Sequence, residues 1–360
     1  MTMTAPFSAA LIRTNAARLA ERAKWAFSAR RVAQGDVAGL IEDARGARAG
    51  DLVLARVARI GQHRNIQLAA GRPSQLYEGD LIVMPCGARY AADQFEGVAE
   101  IGAEADMLAG GGVLGRMREK HGKMGAPTRV TPLGLLADAR GAALNLSAYA
   151  LAPAPRPAGI SAIAVVGASM NAGKTATTAS LAHGLARAGR RVAAIKATGT
   201  GAFGDYNAYL DAGAHVVLDF TDCGMASTYR EAPARLSAAL DTLLAEAAAR
   251  GCDAAVVEFA DGVLQTETDA LISDPVLRSA FGGFLFATGC ALSAVGGVSA
   301  LAARGIAPLA LSGLVARSPL LAAEAEAATG LRVLDLGDLC DPAEAAALIR
   351  RAESGAREAA

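Results

Sequence analysis

The chain has 360 residues, enough for two domains, and its 35 basic and 35 acidic residues balance. That balance leaves no global field to draw in nucleic acid or an anionic membrane, and aromatics at 4% are too sparse for base-stacking platforms. Five cysteines (Cys86, Cys223, Cys252, Cys290 and Cys340) lie scattered without metal-ligand spacing, which predicts reduced thiols and a cytoplasmic protein.

Near the N-terminus Arg13 and Lys24 stand among alanines with no long apolar core or cleavage site, so no secretion signal is expected. Ala9, Leu11, Ile12, Ala16, Leu19, Ala20, Ala23 and Ala26 recur at helical spacing, which predicts a helix over 6–34 that stops at Gly35. A short helix is expected over 36–48, so residues 1–49 form an N-terminal helical segment. From Gly50 the texture changes. Short apolar runs near Asp51–Ile60, Gln67–Leu68, Leu81–Met84, Gln94–Ile101 and Pro127–Leu151 are bounded by Gly, Pro and Asn. Residues 50–151 therefore read as a small β-barrel or sandwich. Within them Ala109–Gly125 carries Arg116, Arg118, Lys120, His121 and Lys123 beside a glycine run. It is a flexible basic loop, either a solvated linker or a lid that brings positive charge to an anion. His63 and His121 have no visible partner and are assigned no metal.

Ala152–Pro157 is rich in proline, and 152–158 is read as a linker. From Gly159 to the end the pattern alternates. Strands are predicted near 161–167, 191–197, 215–220, 253–258, 283–288, 308–314 and 332–336. Helices are predicted near 173–188, 203–212, 232–250, 264–280, 290–303, 318–329 and 342–357. Such alternation predicts an α/β, doubly wound, mostly parallel sheet, with ligands at the carboxyl ends of its strands. Phe281–Ala303 runs 23 residues without a charge, but its five glycines read as a buried strand and a small-residue helix rather than a membrane span.

The most informative stretch is Ile163–Thr178. An apolar run leads into Gly167-Ala-Ser-Met-Asn-Ala-Gly173-Lys174-Thr175, and an Ala-rich helical segment follows. A strand, a glycine-bearing loop, Gly-Lys-Thr and a helix together build a phosphate-binding loop. Gly167, Ser169, Met170, Asn171, Ala172, Gly173, Lys174, Thr175 and Ala176 are the candidate nucleotide contacts. Lys174 reaches phosphate oxygens, and Thr175 holds Mg²⁺. The usual spacing places glycine at 168, where this chain has Ala168.

The other strand ends supply further candidates. Lys196-Ala-Thr198-Gly199-Thr200 and Asp205 follow the second strand, and they suit an anionic substrate near a transferring phosphoryl group. Glu258 ends an apolar strand and is the best second Mg²⁺ ligand; Asp261 and Asp205 rank behind it. Cys223 has no histidine near it in sequence and reads as a structural thiol.

On these residues the chain resembles the dethiobiotin synthetase and cobyrinic acid amide synthase branch of P-loop proteins. Gly167–Thr175 keeps that loop's length and both its ends. Lys196-Ala-Thr-Gly is similar to the branch's Lys-Pro-Val loop, and Glu258-Phe-Ala-Asp-Gly to its Glu-Gly-Ala-Gly segment, whose Glu helps hold Mg²⁺. Residues 159–340 are also similar to an uncharacterised-domain family, some members of which are linked to N-acylation of acidic amino acids. Ala168, Ser169 and Asp261 depart from the synthetase pattern.

The resemblance implies an ATP- and Mg²⁺-dependent, ligase-like enzyme that activates a small carboxylate or carbamate by phosphorylation, with Lys174 and Lys196 catalytic. Thr198, Gly199, Thr200, Asp205 and Asp261 then bind substrate with Lys196. The alternatives are a regulatory P-loop NTPase, hydrolysing ATP or GTP as a switch, and an N-acyltransferase that uses the loop to hold coenzyme A phosphates. The expected partners are a nucleotide and a small anionic substrate, with no nucleic acid and no membrane; a homodimer is allowed for.

Overall fold

A computed structural model describes residues 15–358. The chain divides into two compact units. The first comprises the described residues up to Leu151 with Thr200–Phe203 and Thr221–Tyr229; the second comprises Ala152–Gly199, Gly204–Phe220 and the chain from Arg230 onward.

The first described residues of the first unit, 15–22, are helical (α1). Its strands are β1 (Lys24–Trp25), β2 (Gly39–Ile41), β3 (Leu52–Arg59), β4 (Asn65–Gln67), β5 (Pro73–Gln75), β6 (Leu81–Pro85), β7 (Phe95–Val98), β8 (Ala105–Ala109), β9 (Val113–Lys120) and β10 (Thr128–Ala137). The main sheet runs β1-β6-β3-β10-β8-β9-β7, with β2 also paired to β10. Just past β6, Cys86 bridges in parallel to Leu114 on β9, so the sheet curls back on itself. The two-residue period of a strand sorts the core into two sides. Val53, Ala55 and Val57 of β3 join Ile82, Met84, Met107 and Leu114 in one cluster. Leu52 and Leu54 face the other way, into a cluster with Trp25, Val83, Leu108 and Leu136. Trp25 is buried and donates its indole N–H to Ala20 O at 2.8 Å.

The expected helix over 6–34 is met only at 15–22 among the described residues; 6–14 lie outside them. After α1 the chain turns into β1, which pairs in parallel with β6, and 36–48 supplies β2 instead of a helix. Backbone pairing with a neighbouring strand outweighs the alanine-rich local preference here. The basic stretch is a loop only in part: 113–120 is strand, while His121 and Lys123 lie in the turn beyond it. β8 and β9 form a hairpin across it, and Arg116 and Arg118 both pair with Glu100.

The second unit carries β11 (Ser161–Gly167), α2 (Lys174–Arg187), β12 (Val192–Lys196), α3 (Phe203–Asp211), β13 (Val216–Asp219), α4 (Pro233–Ala249), β14 (Ala254–Glu258), α5 (Thr266–Ser273), α6 (Pro275–Arg278), β15 (Gly283–Ala287), α7 (Ala291–Ala302), β16 (Ala310–Ser312), α8 (Pro319–Thr329), α9 (Leu336–Cys340) and α10 (Pro342–Glu358). Its six strands are all parallel, in the order β13-β12-β14-β11-β15-β16. The sheet is buried on both faces, as helical crossovers demand. Ile163, Val165, Ala194 and Val256 pack against Leu181 and Leu185 of α2 and Leu348 and Ile349 of α10. Ala164, Val166, Ile195 and Val257 point the other way and are equally buried. Each such Val, Leu or Ile contributes about 1.5–3 kcal/mol relative to exposure.

The α/β, mostly parallel fold follows the pattern read from the sequence, with two local differences. The helix expected over 264–280 breaks at Asp274-Pro275, because proline has no N–H to continue the ladder and Asp274 caps the next turn through Val276 N–H at 2.8 Å. The strand expected over 332–336 is reduced to one bridge, Val333 to Leu311, before α9 begins. The charge-free run Phe281–Ala303 holds β15 and α7, and no helix among the described residues is long and apolar enough to cross a membrane.

Candidate functional site

β11 aims the loop and α2 receives it. Gly167 ends β11, and a Cβ there would lie 2.9 Å from both Cγ and Cδ of Lys174. The missing side chain is what lets the Lys174 stem fold back over the strand end. Lys174 is 5% exposed and donates from Nζ to Ser169 O at 2.8 Å. Asn171 sits at φ 64° and Gly173 at φ 104°, both left-handed, so the loop turns twice within three residues. Gly173 also packs on Gly313, and Leu314 N–H donates to Ala172 O at 3.0 Å, which pins the loop from beyond β16. No side chain caps α2, so its first N–H groups are offered to a ligand. Ser169, Asn171 and Ala176 are exposed, Met170, Gly173 and Thr175 half-buried, and Ala172 buried.

Strand register assembles the charges. Asp219 of β13, Lys196 of β12 and Glu258 of β14 are partners across adjacent strands, so their side chains leave the sheet on one face. That is the face covered by α2 and α10. Lys196 lies one strand removed from β11, with β14 between them. Its Nζ pairs with Asp205, on the first turn of α3. Thr175 donates its hydroxyl to the other oxygen of Asp205 at 3.2 Å. Glu258 is 2% exposed and accepts the hydroxyl of Tyr209, also on α3 and fully buried.

The two lysines respond differently to burial. Desolvation holds Lys174 below the ordinary lysine range, against the attraction of Glu258, Asp261 and Asp205 and with Lys196 adding repulsion. Burial also works against the Lys196 ammonium, but Asp205, Glu258 and Asp219 together outweigh it and raise its pKa. Lys196 is therefore a fixed cation. Tyr209 is pushed well above the usual phenol range by burial first and then by Glu258 and Asp205, so it stays a donor.

The remaining sequence candidates separate. Thr198 is buried and accepts from Ala260 N–H at 2.8 Å, which ties the Lys196 loop to the chain after β14. Gly199, at φ 124°, passes close over the Lys196 stem. Asp261, at φ 60° and 9% exposed, is near enough to act on the charge of Lys174. Thr200 parts from this group: it belongs to the first unit, where it bridges to Ser227. Tyr209 was not among the residues singled out, though its four-residue spacing from Asp205 in an expected helix puts both on one helical face.

These groups suit a divalent cation shared with a ligand. Among the described residues no three His, Cys, Asp or Glu side chains are grouped to hold a metal by themselves. The Thr175 hydroxyl beside the Asp205 carboxylate offers hard oxygen donors that would suit Mg²⁺, with phosphate and water supplying the rest of its ligands.

No family model matches the chain, and no curated protein matches it. Solved structures similar to it include the 54 kDa signal recognition particle protein of Aeropyrum pernix K1 in complex with GDP, at 17% identity and a TM-score of 0.35 over 57% of this chain and 51% of that one. Chloroplast FtsY from Physcomitrella patens is similar at 16% and 0.36, over 56% and 67%. The signal recognition particle receptor FtsY from Elizabethkingia anophelis is similar at 18% and 0.33, over 50% and 57%. The chain thus spans from about half to two thirds of those chains' lengths. None of the three is a dethiobiotin synthetase or a cobyrinic acid amide synthase. At these identities neither a guanine nucleotide nor a part in signal recognition passes to this chain.

Proposed function

We propose that the second unit binds a nucleoside triphosphate with Mg²⁺ on the 167–175 loop and cleaves its terminal phosphoryl group, as a P-loop NTPase does. The observation that carries this reading is Lys174: a buried ammonium folded over Gly167, held at the loop carbonyl of Ser169 and facing Asp205, Glu258 and Asp261. A desolvated cation beside uncapped helix N–H groups stabilises charge on a phosphoryl group far better than one in water. Thr175 and Asp205 would hold the cation, with Glu258 acting from the next strand end; Mg²⁺ bound there supplies neutralising charge to the phosphate oxygens.

Whether the phosphoryl group goes to water or to an acceptor turns on Lys196. Its ammonium is already committed to Asp205, so an acceptor carboxylate would have to displace that partner. This favours hydrolysis, as in a regulatory NTPase, over the ligase-like activation of a small carboxylate or carbamate. The ligase reading keeps one support of its own, the place of Lys196 in the same row as Glu258. Calorimetry with ATP, GTP and coenzyme A, each with and without Mg²⁺, tests the proposal, together with phosphate release in the presence of small carboxylates. Mg²⁺-dependent triphosphate binding lost in Lys174→Ala supports it. Binding of coenzyme A alone, or of nothing, would sink it, and phosphate release that appears only with an acceptor would restore the ligase.

A further inference from the structure

We propose that Tyr209 is the positioning residue for Glu258, and that α3 works as a clamp whose one face sets both halves of the phosphate site. The inference rests on the nucleotide reading above. Asp205 and Tyr209 are four residues apart on α3, so they project from the same face one turn apart. Asp205 meets Thr175 and Lys196. Tyr209 meets Glu258. One short helix therefore touches the loop end of α2 and the carboxyl ends of β12 and β14.

Tyr209 is unusual for a core residue. Its ring sits in the apolar cluster with Val165, Ala194, Val256 and Leu181, and its hydroxyl reaches out of that cluster to a carboxylate. A phenol in an apolar core has to find a polar partner, and here the partner is a strand-end acid that also acts on both lysines. The hydroxyl occupies one Glu258 oxygen, Oε2, and so fixes the rotation of the carboxylate. Without it, Glu258 is free to turn toward either ammonium and loses a defined presentation to a cation shared with phosphate. Partners of this kind, behind the groups that hold an ion, typically matter by about tenfold to a hundredfold in metal affinity or activity.

The test uses the full chain with ATP and Mg²⁺ as probes, in wild type, Tyr209→Phe, Glu258→Gln and the double variant. Tyr209→Phe keeps the ring and the packing, so a cooperative melt is expected. Mg²⁺ half-saturation of ATP binding should rise by about tenfold or more. ATP affinity measured without Mg²⁺ should stay within about threefold, or ~0.7 kcal/mol. Glu258→Gln should weaken the Mg²⁺ response as well, and adding Tyr209→Phe to it should change that response no further, because the proposed effect of the hydroxyl on the cation runs through Glu258. Tyr209→p-aminophenylalanine returns an N–H donor on the same ring and should restore the Mg²⁺ response; this comparison decides the matter if Tyr209→Phe does not fold. An unchanged Mg²⁺ response in Tyr209→Phe, additive losses in the double variant, or no recovery with p-aminophenylalanine would overturn the clamp while leaving the nucleotide reading intact. Wild-type protein that binds neither ATP nor GTP in Mg²⁺ overturns both.

Discussion

The two ends of the second unit's sheet use similar residues to different effect. At the amino end Arg190 pairs with Asp253 at 3.1 Å and Glu353 at 2.9 Å, and Ser161 donates to Glu353 at 3.0 Å. These side chains are between a quarter and a half exposed, so water and salt screen them. At the carboxyl end Lys174, Glu258, Asp219 and Asp261 are buried and Lys196 is 12% exposed; Asp205 alone, at 24%, is about as open as Arg190. There each charge acts on several others, since desolvation lowers Lys174 while Asp205 helps raise Lys196. The difference teaches that an ion pair is informative when it is dry and shared. The wet pairs of the amino end tie helix to strand, whereas the dry cluster is costly to maintain without a ligand to use it.

Substitutions at the two ends should therefore separate binding from stability. The largest effect is expected for Lys174→Ala, which removes about 2–4 kcal/mol of stabilisation from a bound triphosphate or its transition state while the melt stays cooperative. Calorimetry and phosphate release read it; unchanged values would erase the distinction between the two ends. Gly173→Ala comes next. Its Cβ would approach Gly313 Cα to 2.8 Å at a left-handed φ of 104°, and strain of this kind costs about 1–3 kcal/mol. Both melting temperature and ATP affinity should fall, and a variant as stable as wild type would show that the loop is not pinned by the glycine contact. Lys196→Ala should cost about 1–2 kcal/mol of stability by leaving Asp205 without its ammonium, and a larger loss of ATP affinity than of stability would move Lys196 into the nucleotide site. Arg190→Ala is the smallest, at most about 1 kcal/mol in denaturant unfolding with nucleotide binding unchanged. A binding defect there would break the comparison altogether.

Much of the carboxyl end was legible because its signals are short-range. Gly167, Gly173, Lys174 and Thr175 lie within nine residues, and each has a local reason for its place. Glu258 and Lys196 could be found because apolar runs mark strands and strands have ends. What stayed hidden depends on pairing between distant segments. Nothing in Lys24–Trp25 announces a strand, since two residues show no alternation and the pairing is supplied by β6, more than fifty residues on. Tyr209 reads as one more apolar position of a helix until Glu258 is known to stand opposite it. Thr200 looks continuous with Lys196 and Thr198 in sequence, yet the chain leaves the second unit at that point. The basic stretch misled because glycines beside charges suit a loop, while here they make the tight turn of a hairpin.

Trp25 has a practical consequence. It is the only tryptophan among 360 residues, and it is buried against the first unit's sheet. Light at the red edge of tyrosine absorption therefore excites a single chromophore, whose emission reports the hydration of that sheet alone. Helical circular dichroism, by contrast, is dominated by the second unit, which holds α2 to α10. Following both signals through one denaturant titration assigns each transition to its own part of the chain without a label or a cleavage. Coincident curves mean that the two parts melt together. Separated curves let the stability of the second unit be measured while the indole emission stays native.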